Sequence, residues 1–390
     1  MRRRVDAGYV PLADAAPLLI AREMGFDADE GLEVVPLPQP SWAALRDLLM
    51  QGHLDAAHML SPMPVALRLG LGGAEAGIDA LSVLSLNGNA VTASHAVARR
   101  MRDGGWPGFG AGAAETARAL SRAGEDGAAP CFGVPFPFSM HALLLQYLFD
   151  GIGEAPPETV AVPPPRMVGA LESGLVDAFI VGEPWGSAAV EAGAGEIVLT
   201  GRDIWQAAPE KVLAMRRDED EGLAMALIRT MARATRWLAA PGNRALADDL
   251  LVAGALSLPA NVIERALAGR IVPRRGEAAR EVPGFLRLGG QALHFPWRSQ
   301  GAWIGDRLAR LHRGDPAVWA RAGSEVFRSD LHRRALAGTG FDLPGASAKL
   351  EGALAAEEAV ASAGGRLTLG PDAFFDGAIF DSAPDAPPKS

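Results

Sequence analysis

The sequence predicts an α/β protein of two lobes with a ligand cleft between them. Short apolar strands alternate with helical patterns up to residue 86, and a Gly- and Ala-rich stretch at 102–130 interrupts the alternation. The alternation then restarts at Phe132. Strands that alternate with helices are typical of βαβ units and a parallel sheet. We therefore expect two α/β layers of similar construction.

The first layer is predicted from the chain before residue 90. Apolar runs indicate its strands, and apolar residues at helical spacing indicate the helices between them. We expect strands at Val5–Val10, Leu32–Pro36, Asp55–Met59 and Ile78–Leu86, with helices at about Ala15–Met24, Trp42–Gly52 and Met63–Gly70.

The second layer is predicted after the Gly- and Ala-rich stretch, where Glu115–Arg122 could form a helix. Beyond about Lys211 the pattern turns mostly helical, and the chain ends in a Pro-rich tail. Strands are expected at Phe132–Pro135, Thr159–Val162, 177–181 and 196–200, and helices at His141–Phe149, Met167–Ser173, Gly222–Leu238, Ala245–Leu251 and Ala260–Leu267.

Composition narrows the class of protein. In 390 residues, 49% are hydrophobic and 21% charged, so a sizeable core is expected. The net charge of −9 argues against a broad nucleic-acid-binding face, and an anion would need a local positive site. Cys131 is the single cysteine, which excludes an internal disulfide and a cysteine-based metal cluster.

The N-terminus predicts a cytoplasmic location. Basic residues come first, but Asp6 and Asp14 interrupt any apolar segment of the kind a signal peptide needs. No window approaches the ~20 apolar residues of a membrane-spanning helix, so we expect no membrane insertion.

Motifs of common enzymes are missing from the sequence. The glycine-rich segments give neither a dinucleotide-binding GxGxxG nor a GxxxxGK[ST] loop. HExxH zinc motifs and GxSxG nucleophile elbows are also lacking. We expect a protein that is not an enzyme and has no catalytic residue, cofactor or metal.

Polar residues placed directly after strands are the remaining candidates for function. Ser41 stands at a predicted helix N-cap with Trp42 at the first helical position, and Ser139 precedes a helix whose first turn holds His141. Taken singly, each is more often structural: a tryptophan anchors a helix start, a histidine packs in the core, and Lys211 alone is a surface charge. Glu183 could simply favour a helix dipole.

Taken together, these segments resemble a known family. The segments "GYVPLADAAPLLIAREMGF", "PSWAALRDLL", "AAHMLSPMPVAL", "LNGNAV", "VPPPRMVGALESGLVDAFIVGEPW" and "APEKVLAM" occur in order within about 4–345. They resemble the nitrate- and bicarbonate-binding solute receptors of ABC transporters and their cytoplasmic relatives, the NasS-type nitrate/nitrite sensors. The resemblance implies a periplasmic-binding-protein type II fold with the ligand in the interlobe cleft. It places lobe 1 at 1–90 and about 240–345, lobe 2 at about 91–239, and a surface-packed tail at 346–390.

The resemblance also implies the residues that hold the anion. Asn89 stands where the nitrate receptors usually carry glutamine, and "PFSMHA" replaces a usual Gly-Gly-Thr-His-Asp. The lysine of "PEK" is a feature of the nitrate branch. The implied ligand-binding residues are Trp42, Asn89, His141, Pro164, Val181, Gly182 and Lys211.

Charge is needed if this site binds nitrate tightly. Nitrate has four heavy atoms, so neutral contacts would supply at most ~6 kcal/mol, a dissociation constant of tens of micromolar. Lys211 at ~4 Å would add ~4 kcal/mol of gross attraction at an effective dielectric near 20. His141 can donate a hydrogen bond in either protonation state, more strongly when protonated. Removing Lys211 should abolish stabilisation by nitrate with little change in the unliganded protein.

The leading functional hypothesis is a cytoplasmic nitrate/nitrite sensor. The resemblance implies that ligand-driven lobe closure controls a NasT-type RNA-binding antiterminator, with no direct contact between the sensor and nucleic acid. The alternative is the substrate-binding component of a nitrate or bicarbonate ABC transporter. A third hypothesis is an enzyme of similar architecture, such as the thiamine-pyrimidine synthases, but those carry a cysteine-rich motif that a lone Cys131 does not match.

Overall fold

The computed structural model of the chain describes residues 2–73, 76–254, 259–290, 292–365 and 367–382. In chain order, its strands are β1 (Arg3–Tyr9), β2 (Leu32–Pro38), β3 (Ala56–Leu60), β4 (Ile78–Asn87), β5 (Asn89–Ser94), β6 (Phe132–Val134), β7 (Thr159–Ala161), β8 (Ala178–Gly182), β9 (Gly195–Thr200), β10 (Pro209–Arg216), β11 (Arg270–Ile271), β12 (Arg280–Glu281), β13 (Leu286–Arg287), β14 (Glu358–Ala359) and β15 (Thr368–Leu369).

Helices cover the faces of the sheets. They are α1 (Ala16–Glu23), α2 (Trp42–Met50), α3 (Pro62–Arg68), α4 (His95–Asp103), α5 (Ala113–Leu120), α6 (Met140–Asp150), α7 (Met167–Glu172), α8 (Trp185–Ala192), α9 (Gly201–Ile204), α10 (Glu221–Leu238), α11 (Arg244–Gly254), α12 (Ala260–Leu267), α13 (Arg298–His312), α14 (Pro316–Val326) and α15 (Ser329–Leu336). Short 3₁₀ turns occupy Ala13–Ala15, Ala28–Glu30, Glu125–Gly127, Pro164–Arg166 and Pro241–Asn243.

Lobe 1 is built on a six-stranded sheet of order β13-β4-β10-β3-β1-β2. Strand β1 pairs in parallel with β2 and β3, as alternating strands and helices predict. Strand β10 lies between β3 and β4 and is antiparallel to both, so the sheet is mixed rather than wholly parallel. Helices α1 and α10 pack on each other beside this sheet.

Lobe 2 is built on a five-stranded sheet of order β7-β6-β8-β5-β9. Strand β5 is antiparallel to its neighbours β8 and β9, whereas β6 is parallel to β7 and β8. The sequence predictions lacked strand β5 and helix α4, since they place Asn87, Gly88 and Asn89 after the fourth strand and begin no new strand there. The chain in fact leaves one sheet and enters the other within three residues, Asn87 to Asn89.

Two chain crossings join the two large sheets, and they lie against each other. In the first, Asn87 and Gly88 have φ angles of 58° and 88°, which suits asparagine and glycine. The second runs through α9 to β10. The Asn87 backbone N–H donates to the Ala208 carbonyl at 3.0 Å, and its side-chain amide donates to the Gln206 carbonyl at 2.8 Å. These bonds fix the two crossings together.

The sheets divide the chain differently from the predicted lobe limits. The range 91–239 was assigned to lobe 2, but β10 within it lies in the lobe 1 sheet, and α10 packs on α1 of lobe 1. All but one of the β10 residues are buried. The sequence predicts a strand directly after Lys211, but a strand buried on both faces shows no alternation of apolar and polar residues that would assign it to one sheet.

The C-terminal segment joins the aromatic core in addition to covering the surface. Phe374 stacks on Trp205 with ring centroids 4.8 Å apart, and the Tyr147 hydroxyl of α6 donates to Asp376 at 2.8 Å. These contacts tie the predicted tail, 346–390, to the lobe crossing and to lobe 2. Its last residues, 383–390, lie outside the described residues.

The described helices include none with both the length and the apolar character needed to cross a membrane.

Candidate functional site

Five of the seven predicted site residues meet where the two lobes join. Trp42 at the start of α2 and Lys211 on β10 come from lobe 1. Asn89 on β5, His141 on α6 and Gly182 at the end of β8 come from lobe 2. All five are buried, and the exposed fraction of Lys211 is 0%.

Serine caps position the two aromatic members of the site. The Ser41 hydroxyl accepts a hydrogen bond from the Ala44 N–H at 3.2 Å, which places Trp42 first in α2. Ser139 accepts in the same way from Ala142 at 3.2 Å, which places His141 in the first turn of α6. The N-cap at Ser41 was predicted from the sequence and is confirmed, and Ser139, predicted only to precede its helix, is the N-cap of α6.

A β-bulge brings two consecutive charged side chains into the site. Pro209 lies opposite Leu86 and Lys211 opposite Ser85, so Glu210 is an extra residue in the β10–β4 ladder. Neighbouring residues of a regular strand point to opposite faces, and a bulge changes that direction. Here it allows the Glu210 carboxylate to lie 2.9 Å from the Lys211 ammonium.

Two carboxylates neutralise the buried lysine. Asp14 Oδ2 accepts from Lys211 Nζ at 2.7 Å, and Glu210 Oε1 accepts at 2.9 Å. The sequence analysis did not identify either residue as part of the site. Both belong to motifs that carry the family resemblance, and the rule that a buried ammonium needs an opposite charge could have pointed to Glu210. We define Asp14, Glu210 and Lys211 as the cleft triad.

Neutral side chains surround the cleft triad. The Asn89 amide donates to Glu210 Oε2 at 2.8 Å, so this amide is already engaged. His141 Nδ1 lies 3.3 Å from Glu210 Oε1, and the Lys211 ammonium lies 5.4 Å from the centre of the Trp42 ring. Gly182 pairs with Asn89 across the β5–β8 ladder, which brings its backbone to the same place.

The other two predicted residues stand apart from these contacts. Val181 belongs to an apolar cluster of lobe 2 with Val162 and Phe179, and strand alternation turns its side chain away from the face of Gly182. Pro164 is buried at the start of its 3₁₀ turn. A role for the Val181 backbone or for Pro164 in ligand binding stays a prediction.

Buried hydrogen-bond donors face this site without a protein partner. Trp42 Nε1 and the His141 ring nitrogens form no hydrogen bond with any described residue. Buried polar atoms are almost always hydrogen-bonded, so such exceptions point to a ligand or to strain. The site therefore offers two N–H donors, one from indole and one from imidazole, beside an ammonium group.

Burial and neighbouring charges shift the pKa values of the titratable groups in this site in different directions. Burial lowers the pKa of His141 well below its usual value, and the Lys211 charge lowers it further. Burial raises the pKa of Glu210 more than the Lys211 charge lowers it. For Asp14, burial raises the pKa, but the contacts with Lys211 and His58 outweigh this effect and hold the pKa well below its usual range. The imidazole is thus neutral near pH 7, and the expected help from a protonated His141 is not supported.

Glu183 forms part of the contact between the lobes. Its carbonyl oxygen accepts from the Ala13 N–H of lobe 1 at 3.1 Å, and its own N–H donates to the Gly88 carbonyl at 2.8 Å. Its carboxylate accepts from the Ser187 N–H at 3.1 Å within lobe 2. Burial raises the pKa of this carboxyl to about 7.

Comparison with known proteins places the chain in a family. Residues 2–252 match the NMT1-like family. Over 352 residues the chain is 33% identical to the nitrate import ATP-binding protein NrtC of Synechocystis, covering 87% of this chain and 51% of that protein. It is also 33% identical to the bicarbonate transport ATP-binding protein CmpC of Synechocystis, covering 87% and 50%. It is 28% identical to the nitrate/nitrite binding protein NrtA of Synechococcus elongatus, covering 97% and 83%. The chain spans about half the length of NrtC and CmpC.

Solved structures show the same fold. The periplasmic nitrate-binding protein NrtA from Synechocystis superposes with a TM-score of 0.80 at 25% identity, over 98% of this chain and 96% of that one. A ligand-binding component of an ABC-type import system from Staphylococcus aureus gives 0.65 at 18% identity, over 86% and 99%. The predicted periplasmic-binding-protein-like α/β fold is confirmed. The chain belongs to the NMT1-like family and is close to the NrtA nitrate-binding proteins of ABC transporters.

Proposed function

We propose that the chain binds nitrate or nitrite at the lobe junction, as the substrate-binding component of a nitrate-import ABC transporter. The observation that carries the proposal is the set of buried donors around Lys211. Trp42 Nε1 and the His141 ring have no hydrogen-bond partner in the part of the chain that the structure describes. Nitrate and nitrite offer only acceptor atoms, and such donors suit them.

The similarity to transport proteins favours this role over the sensor hypothesis. The relatives named above are import, transport and binding proteins, and they support a binding function rather than catalysis. A cytoplasmic sensor that controls an RNA-binding antiterminator would use the same fold and the same ligand. That role and the cytoplasmic location rest on the sequence interpretation, and a partner of this kind stays a proposal.

Isothermal titration of the purified chain tests the ligand. Nitrate, nitrite, bicarbonate and chloride are titrated separately at fixed pH and ionic strength. We expect saturable one-to-one binding of nitrate or nitrite and none of chloride. Tighter binding of bicarbonate than of nitrate and nitrite would instead favour a bicarbonate-binding role. No binding of any of the four would contradict the proposal.

Three further measurements separate the transporter role from the sensor role. Reconstituted with permease and ATPase subunits from its own genome, the nitrate-loaded chain should stimulate ATP hydrolysis in proteoliposomes. A sensor would instead co-purify with an RNA-binding protein and release it when nitrate is added. Fractionation of cells carrying the native gene locates the protein, because a periplasmic or membrane-associated pool fits transport and a cytoplasmic pool fits sensing.

A further inference from the structure

The cleft triad carries more negative than positive charge. Asp14, Glu210 and Lys211 have exposed fractions of 3%, 0% and 0%, so water screens them little. Two ionised carboxylates around one ammonium leave a net charge of −1. An anion that joins them would bring a second uncompensated negative charge into a site from which water is excluded, which buried sites avoid.

The ligand itself cannot relieve this repulsion. Nitrate and nitrite are acceptors only, and so are ionised carboxylates. A carboxylate that faces such an anion becomes a favourable neighbour when it holds a proton, because it then donates a hydrogen bond. Among the described residues, the positive group in contact with Glu210 is the Lys211 ammonium, since the nearby His141 imidazole is neutral.

Geometry distinguishes the two carboxylates as sites for the proton. Asp14 is the better stabilised as an anion: Lys211 Nζ lies 2.7 Å from Oδ2, and His58 Nε2 lies 3.2 Å from Oδ1. Glu210 has the longer contact with Lys211, at 2.9 Å, and otherwise accepts from the neutral Asn89 amide. A proton on Glu210 Oε1 would also release one Lys211 N–H for the ligand.

We infer that nitrate binds together with one proton, which is held by Glu210. This inference rests on the proposed function of nitrate binding. It makes protonation of Glu210 the condition under which the site accepts nitrate. Above the pH at which Glu210 ionises in the free protein, nitrate affinity then falls about tenfold for each unit of pH. Below that pH the affinity is constant.

Calorimetry in buffers of different ionisation enthalpy measures this proton. Nitrate is titrated into the full chain from pH 5 to pH 9, and the observed enthalpy is plotted against the buffer enthalpy. We expect an uptake that rises towards one proton at the alkaline end, together with the loss of affinity. Binding of nitrate with no proton uptake at any pH would overturn the inference and leave the proposed function intact. No binding of nitrate at any pH would contradict the proposed function itself.

Two variants locate the proton. Glu210→Gln is neutral at every pH and keeps the shape of the side chain, so it should bind nitrate with constant affinity and no uptake. Glu183→Gln is the matched control, because Glu183 is also buried at the lobe junction but its carboxylate binds Ser187 rather than Lys211. It should keep the proton uptake of the unaltered chain. Loss of uptake in Glu183→Gln and its retention in Glu210→Gln would assign the proton to Glu183 and overturn the inference.

Discussion

Two buried clusters of this protein have the same charges and differ in their hydrogen bonds. The cleft triad joins one lysine to two carboxylates beside the Trp42 ring. In the C-terminal segment, Lys349 pairs with Glu351 and Asp372 and lies 5.9 Å from the centre of the Trp297 ring. We define Lys349, Glu351 and Asp372 as the tail triad.

Hydrogen bonding sets the two clusters apart. In the tail triad, Glu351 Oε1 accepts from the Ser299 hydroxyl at 2.6 Å, and Asp372 Oδ1 accepts from the Leu354 N–H at 2.8 Å. The tail triad thus completes its bonds within the protein. The cleft triad is bordered by Trp42 Nε1 and His141, which have no such partner among the described residues. The same ionic arrangement holds a segment in place at one position and lies beside buried donors without a protein partner among the described residues at the other.

The largest expected effect comes from removing each lysine. Lys211→Met and Lys349→Met each leave two buried carboxylates uncompensated, so each should lower the free energy of unfolding by about 3–5 kcal/mol. This revises the expectation that Lys211 could be removed with little change in the unliganded protein. Lys211→Met should also weaken nitrate binding roughly 10–100-fold, the value of a charged hydrogen bond.

Denaturant unfolding and nitrate titration of both variants make the comparison. Lys349→Met is the control, and its dissociation constant for nitrate should stay within about twofold of the unaltered chain. Equal losses of nitrate affinity in the two variants would show that the clusters do not differ in function.

The buried carboxylate of Glu183, which lies outside both triads, shows what happens without a lysine. Its pKa of about 7 means that the folded chain holds a proton that the unfolded chain releases near pH 4.5. The stabilisation that Glu183 contributes is therefore complete below pH 4.5, is lost as the pH rises to about 7, and is absent above it. The loss is about 3 kcal/mol at 1.4 kcal/mol per unit.

Glu183→Gln should remove this dependence. Its free energy of unfolding should exceed that of the unaltered chain by up to about 3 kcal/mol at pH 8 and match it near pH 4.5. Urea unfolding at both pH values measures the difference. A variant that gains nothing at pH 8 would show that Glu183 is ionised in the folded chain at little cost.

The indole N–H groups provide a smaller test. Trp42→Phe removes a buried donor that lacks a protein partner, so stability should change by only about 1–2 kcal/mol from lost packing. Nitrate affinity should fall roughly 5–20-fold, which corresponds to about 1–2 kcal/mol for one hydrogen bond from a neutral donor. Trp297→Phe, beside the tail triad, should leave nitrate affinity unchanged. Titration of both variants checks this, and equal affinities in the two would remove Trp42 from the ligand contacts.

The smallest expected effect concerns the pH dependence of His141. Because its imidazole is neutral, the ratio of nitrate affinities between the unaltered chain and His141→Ala should be the same at pH 6 and pH 8, within about twofold. Titration of both proteins at the two pH values gives this ratio. A ratio that grows at pH 6 would show that a protonated imidazole contributes.

Local signals in the sequence predict much of the site. Ser41 and Ser139 place Trp42 and His141 at helix starts, and a helix N-cap depends on residues only three apart. Most strands of the two lobes could be predicted in the same way, from short apolar runs. These predictions succeed because the relevant contacts lie within a few residues of each other.

Long-range pairing accounts for what was missed. Asp14 and Lys211 are 197 residues apart, and no local pattern relates them. The direction of Glu210 depends on a bulge, which exists only once β10 pairs with β4. Strand β10 itself is buried on both faces and has no alternating pattern, so its place in lobe 1 follows from tertiary pairing alone.

The central place of β10 also determines the order in which the chain can fold during synthesis. The lobe 2 sheet uses only strands between Asn89 and Thr200, so its strands can pair as soon as that stretch leaves the ribosome. The lobe 1 sheet stays divided between β3 and β4 until Pro209–Arg216 has been translated. Lys211 lies on that strand, so an earlier-synthesised lobe 2 is ready before the ammonium group arrives. The cleft triad is therefore completed only after all strands of the lobe 2 sheet have been made.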